Sequence, residues 1–137
     1  MKIALKIIKT IGIVLALFIA LIVGVFFLIM QGCHEEVIKV NSPNNQFTAT
    51  VDEFNGGAMT SYGYTIYVSE TGKRKATKVA YLYGAFRREH EYGVNVKWVS
   101  NEILSIEYLK AKSVEQNANV LTLNDKNIKI IIKPTHN

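Results

Sequence analysis

Ile11 to Met30 reads IGIVLALFIALIVGVFFLIM, twenty residues without a charge, and the fold class of the chain follows from how that stretch is read. Wound as a helix at about 1.5 Å per residue it covers roughly 30 Å, the thickness of a bilayer's hydrocarbon core. It is apolar on every face, so a soluble protein would have to surround it completely. Residues 34 to 137 are too few for that. The stretch therefore reads as a transmembrane or signal helix, and Leu5, Ile7 and Ile8 carry its apolar character toward the N-terminus.

The flanks orient it. Lys2, Lys6 and Lys9 precede the apolar run and Glu35 and Glu36 follow it, so the N-terminus is expected in the cytoplasm and the rest on the periplasmic or outer side of a bacterial membrane. Without those three lysines, 13 Lys and Arg stand against 11 Asp and Glu. That balance is too even for a nucleic-acid binder, which needs a dense basic face.

Cys33 is the sole cysteine, which excludes an intrachain disulfide. It also ends Ile29-Met30-Gln31-Gly32-Cys33, which resembles the lipobox of bacterial lipoprotein precursors, whose Cys is acylated after everything before it is removed. Two tethers are open: a retained single-pass helix over residues 11 to 30, or a lipid on Cys33. The length of the apolar run favours the helix, because a signal's apolar region is usually about 7 to 15 residues. Either way residues 1 to 33 anchor and residues 34 to 137 form the exported domain.

Past His34 the periodicity changes from helical to alternating. Val37 to Val40 is a short extended lead, stopped by Asn41-Ser42-Pro43-Asn44-Asn45, a run of turn formers. In Gln46 to Glu53, Phe47, Ala49 and Val51 share one face. A break at Asn55-Gly56-Gly57 leads to a strand over Tyr62 to Ser69, with Tyr62, Tyr64, Ile66 and Val68 together and Tyr67 opposite. After a turn at Glu70 to Lys73, the strand over Ala76 to Tyr83 is apolar or aromatic on both faces, so cover is expected on both sides. Gly84 to Gly93, GAFRREHEYG, reads as a helical turn or long loop. Val94, Val96 and Trp98 line the next strand, and Leu104, Ile106 and Tyr108 the one after. Lys110 to Asn119 is polar and loop-like, and Val120 to Leu123 with Ile128 to Lys133 forms a closing hairpin. The fold class is mainly β: six or seven short strands in a small antiparallel β-meander, curled sheet or sandwich, behind an N-terminal helix.

Three places in the domain carry a resemblance. Ser42-Pro43-Asn44-Asn45-Gln46-Phe47-Thr48-Ala49 is similar to an S-P-D-G-K-Y-K-A start, Gly57-Ala58-Met59-Thr60 to G-A-T-T, and Trp98 with Asn101 to Tyr108 to W-x-D-x-x-x-L-x-I-x-Y. Together they resemble a family of small, anchored bacterial envelope proteins of unknown function, over roughly Val37 to Tyr108. The resemblance implies no reaction and no ligand. It implies a Cys before G-A-T-T that could pair with the Cys after the anchor; Gly56 stands there instead. The Ser-Pro-Asn start also resembles one blade of a β-propeller, but that architecture needs several copies and the chain has one.

Arg87-Arg88-Glu89-His90-Glu91 holds acid, base and cation together, but sequence neighbours rarely point to one spot and no second cluster supplies a nucleophile, so it reads as a solvated connection. His34, His90 and His136 lack metal-ligand spacing, and the hydroxyls lack a nucleophile-elbow setting. We therefore expect no catalysis, no cofactor and no metal. The domain is expected to bind a macromolecular partner, a protein rather than nucleic acid, with an immunity-like role as one version. The alternative is a structural or sensory component of a membrane assembly. The partner-binding candidates are Gly56, Gly57, Met59, Tyr62, Tyr64 and Tyr67 in one loop and strand, then Lys73, Arg74 and Lys75 at a hairpin tip, where an acidic protein or anionic headgroups could dock. Seven tyrosines lie in the exported part, suited to a core near water or to an interface.

Overall fold

A computed structural model describes residues 1–30, 33–57, 60–87 and 92–135. They fall into two compact units, residues 1–32 and 33–137. The first holds one helix, α1, Lys2–Met30. Its window Lys6–Phe27 is long and apolar enough to cross a membrane, and none of that window is buried by the protein. The bilayer is the solvent that such a surface fits.

The second unit is built from strands. β1 (Cys33–Asn41), β2 (Phe47–Asn55), β3 (Gly63–Glu70) and β4 (Ala76–Tyr83) form an antiparallel meander, and β7 (Ser113–Gln116) pairs with β4 at its edge. A second sheet has the order β5 (Val94–Ser100), β6 (Ile103–Tyr108), β9 (Lys126–Pro134), β8 (Val120–Leu123). Its pairs are antiparallel except β6 with β9, which run parallel.

Alternation decides which face goes inward. In β2, Phe47, Ala49 and Val51 are buried; in β3, Tyr64, Ile66 and Val68; in β5 and β6, Val94, Val96, Leu104 and Ile106. Ile128 and Ile130 of β9 join the same core, so the two sheets share one apolar interior. Trp98 ties them together, stacking on Phe47 with ring centroids 6.3 Å apart and donating its indole N–H to the Val40 carbonyl at 3.1 Å.

Three expectations change. Lys110 to Asn119 is not all loop: residues 113–116 form β7, an exposed edge strand. Its local sequence is polar because it buries nothing, and backbone pairing with β4 holds it. Nine strands therefore occur among the described residues rather than six or seven. The strand over residues 76 to 83 is not covered on both faces, because a bulge opposite Ile66 and Tyr67 turns Val79 to the same side as Ala80 and Leu82. Tyr81 and Tyr83 stay half-buried on the outer face. The described part of GAFRREHEYG, Gly84–Arg87 with Tyr92 and Gly93, is irregular, in keeping with the loop alternative.

Candidate functional site

Strand direction sorts the loops into two groups. β1 begins and β2 ends at the same end of the first sheet, with Cys33 paired to Asn55. The β2–β3 connection, the chain after Tyr83 and the chain before Ser113 gather there too, because Gly63, Tyr83 and Ser113 are successive partners in one row of the sheet. The Glu70–Ala76 turn lies at the opposite end, eight residues of β3 away, a distance of roughly 25 Å at about 3.3 Å per residue.

At the Cys33 end, backbone bonds lace the loops together. The Gly84 N–H donates to the Tyr62 carbonyl at 2.8 Å, the Phe86 N–H to Lys110 at 2.8 Å, and the Lys112 N–H to Tyr83 at 2.9 Å. Between them lies an open groove of about 440 Å³, lined in part by Ser61, Tyr62, Phe86, Arg87, Lys110 and Lys112. Phe86 is 57% exposed. Lys112 Nζ donates to the Ser61 hydroxyl at 2.7 Å, and its charge lies 5.7 Å from the Tyr83 ring centroid.

Glu53 organises the wall of this groove. It sits at the fourth inward position of β2, after Phe47, Ala49 and Val51, and is only 7% exposed. The Tyr64 hydroxyl donates to its Oε2 at 2.6 Å, and Arg87 Nη1 donates to its Oε1 at 2.9 Å. The Gly93 N–H donates in turn to the Tyr64 hydroxyl at 3.2 Å. Arg87 is flanked by the rings of Tyr62 and Tyr92, 5.2 and 5.1 Å from their centroids. Burial, then the bond to Glu53, pushes the Tyr64 phenol well above the ordinary tyrosine range. The cluster fixes the loop after β4 against the sheet and leaves Lys110, Lys112 and Phe86 facing outward, an arrangement suited to anionic groups with apolar flanks.

The candidate residues separate. Gly56 and Gly57 lie exposed in the β2–β3 connection, where the Asn55 side chain accepts from the Gly57 N–H at 3.0 Å. Met59, Arg88, Glu89, His90, Glu91 and His136 lie outside the described residues, as do Gln31 and Gly32 of the lipobox-like run. Tyr62 lines the groove and Tyr67 is half-buried on the outer face of β3. Tyr64 is a correction: fully buried and bonded to Glu53, it offers no surface to a partner. Arg87 is another, since it serves the Glu53 ion pair rather than a merely solvated connection. Lys73, Arg74 and Lys75 are exposed at the far end and never meet the tyrosine loop. Cys33 opens β1, and Gly56, where the resemblance would put its partner, adjoins Asn55, the residue opposite Cys33. No group of three His, Cys, Asp or Glu able to hold a metal occurs among the described residues.

Glu53 was missed, although the sequence contains the signal. An acid in phase with three core residues of an alternating strand must find buried partners. Lys110 and Lys112 could not be found that way, since only the pairing of β7 brings them beside Arg87.

Residues 2–130 match the family of unknown function DUF5412. The chain belongs to that family. No curated protein and no solved structure matches it.

Proposed function

We propose that this DUF5412 member is a membrane-tethered, non-catalytic binding module on the outer side of a bacterial membrane. The apolar α1 or an acyl chain on Cys33 holds it, and the β domain recruits a protein partner with an acidic surface. The observation that carries the reading is the exposed run Lys73-Arg74-Lys75 at the end of a rigid sheet opposite the Cys33 end. A tethered domain reaches a partner most readily with the part farthest from its tether. The turn is well made for display: Lys73 N–H bonds Glu70 O at 3.0 Å and Thr71 N–H bonds Gln46 O at 2.9 Å, so the three cations stand on a braced hairpin. The lysines ahead of α1 support the outward orientation, and the loss of positive charge at the tip should act mainly on association rate.

A photo-crosslinking residue in place of Arg74 in the full chain, expressed in intact cells, tests this. The expected result is one adduct of defined mass that disappears when Lys73 and Lys75 become Glu. Absence of an adduct at position 74, with the protein present in the membrane fraction, overturns the reading.

A further inference from the structure

We infer that the groove end of the β domain is a docking face for anionic lipid headgroups, so that the domain rests on the bilayer in a set orientation instead of swinging on its tether. The inference rests on the membrane tether proposed above. Three observations carry it. First, Cys33, three positions after Met30 in the sequence, opens β1 at this end, so the chain enters the domain here. Second, Lys110 and Lys112 are exposed here with Arg87 beside them. Third, Phe86 is 57% exposed and lines the same groove as Lys110 and Lys112. An apolar ring among cations at a bilayer surface is the pattern of interfacial anchoring, in which the ring enters the headgroup boundary and the charges meet phosphates.

Among the described residues, acids flank this end on more than one side. Glu35 and Glu36 are exposed on β1, and Asp52 opposite Glu36 has its carboxyl raised by burial first and by the Glu36 charge second. These three sit at the β1–β2 side, three strand spacings or roughly 14 Å from β4, while Glu115 is exposed on β7 and Glu107 of β6 is held by Lys97 and Lys133. Glu53 is internal and paired with Arg87. With the groove end on the bilayer, Lys73 to Lys75 at the opposite end of the sheet point away into solvent.

The test uses the full chain with Cys33→Ser and Phe86→Cys, labelled with an environment-sensitive fluorophore at position 86. It is reconstituted in vesicles of phosphatidylcholine alone or mixed with phosphatidylglycerol, with a headgroup-region quencher lipid present. Trp98 emission checks the fold of every variant. Docking predicts a blue shift and quenching with phosphatidylglycerol, both lost in about 1 M salt, where the screening length is roughly 3 Å. Lys110→Gln with Lys112→Gln should lower the docked-to-free ratio roughly 25-fold, about fivefold for each charge. A label at Arg74→Cys should stay unquenched. The inference is overturned if label 86 stays unquenched while the chain floats with the vesicles, or if it is quenched equally without anionic lipid. A chain that does not float with vesicles removes the tether itself, and the inference with it.

Discussion

The Tyr64 hydroxyl donates a 2.6 Å hydrogen bond to Oε2 of Glu53, an acid that stands where the pattern of β2 calls for an apolar side chain. The second carboxylate oxygen takes Arg87 at 2.9 Å, so both oxygens are bonded and the charge is compensated. Every member leans on the others, and removing one leaves a buried group without its partner.

Glu53→Ala should therefore cost about 3 kcal/mol, since the phenol loses its acceptor and the loop after β4 loses its clamp. Glu53→Gln keeps an acceptor for Tyr64 and gives up only the ion pair, so roughly 1–2 kcal/mol is expected. Denaturant titration of the detergent-solubilised chain, followed by Trp98 emission, separates the two. Equal midpoints for wild type and Glu53→Ala would show that the cluster contributes nothing.

The raised ionisation of Tyr64 has a definite sign. The ordinary tyrosine value is 10.0 and the folded value lies above it, so deprotonation favours the unfolded chain. The stability from this group is whole below about pH 10 and declines as the pH climbs from there through the folded value. Ultraviolet titration of the phenols should find a step that lies above the ordinary tyrosine value. Tyr64→Phe should abolish that late step and flatten the alkaline loss of stability.

Trp98 joins the sheets through its bond to Val40 O and its stacking on Phe47. Trp98→Phe should cost about 1 kcal/mol for the lost N–H bond. Trp98→Ala should cost about 3 kcal/mol or more, because a half-buried aromatic between two layers also leaves a cavity. Thermal unfolding followed by far-ultraviolet circular dichroism ranks the two, and Trp98→Phe as the worse variant would refute the packing account.

The β8–β9 turn has only Asn124 and Asp125 between paired Leu123 and Lys126, with φ of 48° and 58°. Two successive positive φ values define the turn that Asn-Gly suits best. Asp125→Gly should stabilise by about 0.5 kcal/mol and raise Tm by roughly 2–4 °C. Asp125→Val should destabilise by about 1–2 kcal/mol, a branched side chain being strained there. The opposite order in a melting series would rule out that turn geometry in solution.

Local pattern was informative where one face of an element meets one environment. The unbroken apolar run gave α1, and the parity of Phe47, Ala49 and Val51, of Ile66 and Val68, and of Leu104 and Ile106 gave the inward faces of β2, β3 and β6. The same reading failed at Ser113 to Gln116, where the strand buries no side chain, and at Val79, where one extra residue reverses the parity. It listed Tyr64 with the surface because tyrosine suits both environments, while the acid beside it in space is eleven residues away in the chain.

By itself the sequence determined a uniformly apolar helix followed by an alternating, cysteine-poor β domain, since hydrophobic period is a local property that each segment carries alone. Tertiary structure alone decided that β9 runs parallel between β6 and β8, that Glu53, Tyr64 and Arg87 meet, and that Lys110 and Lys112 join the Cys33 end while Lys73 to Lys75 take the other. Those relations are pairings between distant segments, selected by the burial and hydrogen bonding of the whole domain, and no window of neighbouring residues contains them.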